Sequence, residues 1–80
     1  MNPGRLRASE VTIQPELVPV LGKWRASVCA YRECTSGWRR ISRVYTAPIY
    51  DGQDGAVEGG SRLAAALFTV CPVSVYRWSE

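Results

Sequence analysis

Residues 23–34 alternate along their length. Trp24, Ala26, Val28 and Ala30 fall on one side, and Lys23, Arg25, Ser27, Cys29, Tyr31 and Glu33 on the other. A period of two with one apolar side marks an antiparallel strand buried on a single face. Turn chemistry at Thr35-Ser36-Gly37 sends the chain back through Trp38 to Thr46, so residues 23–45 read as one long hairpin. The small side chains of Ala26 and Ala30 leave room on the apolar side for close approach, most simply by a helix.

The returning strand is less regular. Trp38 and Val44 share a parity with Arg40 and Ser42, whereas Ile41 and Tyr45 alternate with Arg39 and Arg43. A bulge near Arg40 reconciles the two sets, because one extra residue shifts every later side chain to the other face. Charge concentrates in the same stretch. Residues 23–45 hold six of the ten basic residues against one acid, Glu33, while residues 46–80 sum to −2. Nine of the ten basic residues are arginine, which favours bidentate pairing and stacking over a solvated point charge.

Around the hairpin, residues 1–8 read as a flexible lead-in, punctuated by Asn2-Pro3-Gly4. Residues 9–14 read as a short strand with Val11 and Ile13 on one side. Pro15 and Pro19 make residues 15–22 an edge segment or a loop. After the turn-rich Asp51-Gly52-Gln53-Asp54-Gly55, a helical stripe of Val57, Gly60, Leu63, Ala64, Leu67, Phe68 and Cys71 predicts a helix from about Gly55 or Ala56 to Val70. Asp54 suits its N-cap and Pro72 its end. Gly59-Gly60 weakens that helix by about 1 kcal/mol per glycine. The pair places the true start at Ser61 or permits close approach to Ala26 and Ala30. Residues 73–78 read as a last strand. The fold class that follows is α+β: residues 9–80 make a small two-layer β-β-β-α-β domain, an antiparallel sheet with one helix packed on one face.

Catalytic and metal chemistry find little to work with. The chain has no histidine, which removes Ser–His and Cys–His pairs. Cys29, Cys34 and Cys71 show no paired spacing, so reduced cysteines serving as small apolar residues are the better reading than a zinc site. A Cys34–Cys71 bridge stays open. Asp51 to Gly55 has the opening spacing of a calcium loop but lacks its remaining ligands. Neither a cofactor nor a catalytic residue is expected. The longest apolar-rich run, residues 63–75, is broken by Thr69, Pro72 and Ser74 and falls short of the roughly 20 residues that span a bilayer. Polar residues rather than a secretory apolar run follow Arg5 and Arg7, so the expectation is a cytoplasmic protein without membrane contact.

Function therefore falls to the side of the sheet turned away from the helix. The residues expected to bind a partner are Arg25, Tyr31, Arg39, Arg40, Arg43, Tyr45, Tyr76 and Trp78. Arginine interleaved with aromatics suits a protein interface, where these types dominate hot spots. It also suits single-stranded nucleic acid, whose bases stack and whose phosphates pair. Homodimerisation through the same face is a third option. The plain alternative is that the aromatics cap the core edges while the arginines solvate the surface.

The β-β-β-α-β order, with Glu58-Gly59-Gly60-Ser61-Arg62-Leu63-Ala64-Ala65-Ala66-Leu67 as the helix, resembles two groups of small proteins. One is the HicB-type antitoxin domain, whose hairpin precedes an Ala/Leu-rich helix. The other is the set of small inhibitors encoded by phages and mobile elements, including anti-CRISPR proteins. The second resemblance implies a non-catalytic protein that sterically blocks a host or defence nucleoprotein complex. Direct nucleic-acid binding is the alternative.

Overall fold

The computed structural model describes residues 4–70 and the backbone of 75–77. Six strands and one helix occur among them: β1 (Leu6–Ala8), β2 (Glu10–Val18), β3 (Lys23–Cys34), β4 (Gly37–Tyr45), α1 (Gln53–Leu67), β5 (Phe68–Val70) and β6 (Val75–Arg77). The main sheet runs β4-β3-β2-β6, with β2, β3 and β4 antiparallel and β6 added parallel to β2. A two-stranded parallel pair, β1 with β5, accompanies it. Helix α1 packs on one face, against β2 and β3. The fold is α+β.

The apolar side of β3 is the floor of the core. Ala26, Val28 and Ala30 are fully buried, joined by Val11 and Ile13 from β2 and by Ala56, Ala64 and Phe68 from the helical layer. The helix can come close because it presents glycine at the crossing. A Cβ on Gly60 would lie 2.8 Å from both Ala26 Cβ and Ile13 Cγ2. One on Gly59 would run into the end of the Tyr50 ring. Of the two roles open to Gly59-Gly60, close approach is the one realised. The helix starts eight residues before Ser61, at Gln53 rather than at Gly55 or Ala56.

Asp54, expected as the N-cap, sits inside the first turn, where its charge still favours the helix N-terminus. Gly52 occupies the cap position, and its carbonyl accepts from Ala56 N–H at 3.2 Å. The helix also ends earlier than its stripe suggests. At Phe68 the backbone becomes extended, and Phe68–Val70 pair with Leu6–Ala8 instead of adding another turn. The expected lead-in of residues 1–8 thus contains a strand. Ala8 and Phe68, one from each strand of that pair, are buried in the core cluster.

Pro15 does not break β2, which continues through it to Val18 with Pro15 opposite Ala26. The reason lies in the direction of the missing N–H. Tyr50 and Trp24 exchange two backbone hydrogen bonds, at 2.6 and 3.1 Å, and Ala26 accepts from Thr46 N–H at 2.9 Å. Even-numbered residues of β3 therefore bond toward β4 and odd-numbered ones toward β2. Their β2 partners are the even residues Gln14 and Glu16, which leaves Pro15 turned outward. Among the described residues β6 pairs with residues 11–13, so Pro15 takes no hydrogen bond from the β2–β3 ladder.

The β2–β3 loop closes through Gly22, whose N–H donates to Val18 O at 2.9 Å and whose φ is +64°. Nothing lies within 4 Å of a Cβ built there, so only backbone strain opposes a side chain. Gly22→Val is expected to lower stability by about 1–2 kcal/mol, and Gly22→Asn by less. Urea titration of the two variants measures the difference, and equal stability would contradict it.

Candidate partner-binding face

The face opposite the helix is built from three strands whose registers now determine which side chains share it. From β2 come Glu10, Thr12, Gln14 and Glu16; from β3, Arg25, Ser27, Cys29, Tyr31 and Glu33. On β4 the register shifts between Ala30 and Tyr31, with Ser42 opposite Ala30 and Arg40 opposite Tyr31. Ile41 is the extra residue of the anticipated bulge. It turns inward with Val44 and packs against the core. Beyond the bulge the parity reverses, so Tyr45 and Arg43 share this face with Arg40 and Trp38.

Of the eight residues expected to bind, Arg25, Tyr31, Arg40, Arg43 and Tyr45 come together here. Arg39 does not join them. It lies opposite Arg32 on the other side of the hairpin. The backbone of Tyr76 lies opposite Thr12 in the parallel β2–β6 pair, and Trp78 is outside the described residues, as is Cys71. Trp38 was missed. Its side chain is 56% exposed, more than that of Tyr45, and it sits opposite Glu33 at the far end of the hairpin. The only signal for it in the sequence was its shared parity with Arg40.

The side chains are arranged rather than scattered. The Arg25 guanidinium lies 4.3 Å from the centre of the Tyr45 ring and donates from Nε to Glu16 Oε1 at 3.0 Å. It thereby links all three strands. Arg43 is held charged beyond arginine's usual range by a hydrogen bond with Cys29, the field of Cys29 and the neighbouring Tyr45. Thr12, Ser27 and Cys29 are buried in the middle of the face. With Gln14, Glu16, Tyr31 and Arg43 they line a shallow depression of about 300 Å³. Tyr31 also borders a second depression of about 200 Å³, shared with Glu10, Thr12 and Trp38.

The charges divide across the sheet. Arg40 and Arg43 lie on β4, whereas Glu10 and Glu16 lie on β2, with Arg25 between them. Around the corner, Arg32 Nη2 donates to Arg7 O at 2.7 Å, and Glu33 N–H donates to Ser9 Oγ at 2.9 Å. These contacts tie the hairpin end to the β1–β2 corner. Elsewhere, Lys23 pairs with Asp51 and, by hydrogen bond and charge, holds its carboxyl below the usual carboxylate range. Among the described residues, no group of three or more His, Cys, Asp or Glu side chains gathers to hold a metal ion. No helix among them is long and apolar enough to cross a membrane.

Comparison with protein-family models, with curated proteins and with solved structures finds no match to this chain.

Proposed function

We propose that this chain is a non-catalytic binding module that engages a protein partner through the β3–β4 hairpin and the face opposite the helix. The observation that carries this reading is the mosaic of that face. Exposed Trp38 and Tyr45 stand beside Arg40 and Arg43, and carboxylates Glu10 and Glu16 lie across the sheet. Trp, Tyr and Arg are the types that dominate protein hot spots.

A nucleic acid fits the mosaic less well. A backbone crossing the sheet would bring phosphates against Glu10 and Glu16, and the Tyr45 ring is already covered by Arg25. By the resemblance to small phage- and mobile-element-encoded inhibitors, binding of this kind would act sterically, by occupying a surface of a host or defence complex.

Two measurements test the reading. Titration of labelled single- and double-stranded DNA and RNA at micromolar protein is expected to give no salt-sensitive binding. A steep loss of affinity with salt would transfer the face to nucleic acid. Immobilised chain is expected to capture a protein partner from its native host, and Trp38→Ala to weaken that capture by roughly 30-fold, as for a hot-spot residue. Undiminished capture by Trp38→Ala would refute the role given to this face.

A further inference from the structure

The outer strand β4 has its own chemistry, separate from the face it borders. Its only described partner is β3, so one edge of its backbone is unpaired among the described residues. The hydrogen bond from Thr46 N–H to Ala26 O fixes which groups point inward. Val44 and Ser42 follow Thr46 in bonding to β3, which turns the N–H and C=O groups of Arg43 and Tyr45 outward. Carried past the bulge, the same alternation turns Arg40 and Trp38 outward. The residues that offer free backbone groups are thus the ones whose side chains carry the arginines and aromatics of the open face.

A strand laid along this edge would meet two different surfaces. On the open face it would run beside Arg43 and Arg40. On the helix side it would run beside Val44 and Ile41, half-buried residues at the margin of the core. A second copy of β4 is a poor occupant, because antiparallel self-pairing brings Arg39, Arg40 and Arg43 close to the same arginines of the other chain. Like charges across a strand pair are unfavourable. Charged residues and a bulge are also the devices by which edge strands avoid pairing with themselves. They act as a filter here rather than a barrier, since arginine repels arginine but attracts carboxylate.

Resting on the binding reading above, we infer that β4 accepts an extended segment of the partner as an added strand, with acidic residues alternating with apolar ones. Its carboxylates lie beside Arg43 and Arg40, and its apolar side chains beside Val44 and Ile41. Backbone pairing supplies adhesion and the alternate side chains supply selectivity.

The test uses the full chain and a short synthetic peptide alternating glutamate and valine, followed by amide hydrogen exchange in NMR. The peptide is expected to slow exchange at Arg43 and Tyr45 by roughly ten-fold, with less change at Ser42 and Val44, which already bond to β3. A peptide N-methylated along one edge and a peptide with lysine in place of glutamate are both expected to lose the effect. Unchanged exchange at Arg43 and Tyr45 with millimolar peptide overturns the inference. So does slowing that survives N-methylation, which would mean attachment by charge alone. The broader reading fails separately: capture that withstands Trp38→Ala removes the face, whereas loss of capture without edge protection removes only the added strand.

Discussion

Gly60→Ala is expected to destabilise the protein, against the direction helix propensity gives. At an exposed position in mid-helix the change would stabilise by about 1 kcal/mol. Here the new methyl would lie 2.8 Å from both Ala26 Cβ and Ile13 Cγ2. Ala26 Cβ cannot rotate away, since it is attached directly to the backbone of the central strand β3. Either the helix lifts from the sheet or the strand bends, and overpacking of that kind costs about 1–3 kcal/mol. With the propensity gain subtracted, the expected net loss is about 1 kcal/mol, a sizeable part of the roughly 4–12 kcal/mol that a chain of this length holds.

Thermal unfolding should show a midpoint lowered by roughly 5 °C. Ala26→Gly removes one of the two obstructing atoms, so in that background Gly60→Ala should cost about 1 kcal/mol less. Gly59→Ala should be milder, because the obstruction is the far end of the Tyr50 side chain, which can swing aside. An unchanged or raised midpoint for Gly60→Ala would show that the helix does not bear on the sheet at this point.

That contact is also the part of the fold most legible in the sequence. Alternating Ala26, Val28 and Ala30 mark a strand with a low floor, and two adjacent glycines in a helical stripe mark a helix able to sit close to it. Each is a local pattern, and the two agree. What stayed hidden depends on neighbours distant in the chain. Pro15 looks like a strand breaker until its missing N–H is known to point away from β3. Leu6–Ala8 and Phe68–Val70 are too short to show a period, and each becomes a strand only by pairing with the other.

The same limit divides the candidate site. Arg25 and Tyr31 lie on β3, whose alternation is unbroken, and both fall where their parity places them. The bulge at Ile41 splits the β4 residues. It brings Arg40 and Trp38 onto the open face and leaves Arg39 on the other side. A shared parity of Trp38 with Arg40 is visible in the sequence. Which side that parity faces is not, until the register against β3 is known.

That division makes charge reversal a discriminating experiment. Arg40→Glu with Arg43→Glu removes the two basic side chains that β4 contributes to the open face. Both positions are exposed and neither forms a salt bridge among the described residues, so Arg40→Glu should alter stability by no more than about 0.5 kcal/mol. Arg43→Glu also gives up its hydrogen bond with Cys29 and should cost somewhat more. Partner capture should fall by at least about 100-fold, since a hot-spot arginine commonly contributes about 2 kcal/mol and reversal adds repulsion to the loss. Arg39→Glu is the matched control, one residue away in sequence but on the opposite side. It replaces a like-charge pair with Arg32 by an opposite-charge pair, which should stabilise the hairpin by a few tenths of a kcal/mol. Its effect on capture should be small. Arg25→Glu is no substitute for the pair, because it breaks the Glu16 bond and the Tyr45 stacking and so disturbs the sheet itself. Equal loss of capture from Arg39→Glu and from the Arg40/Arg43 double variant would mean that the partner responds to the net charge of the hairpin. Loss confined to the double variant would tie recognition to one side of a single strand.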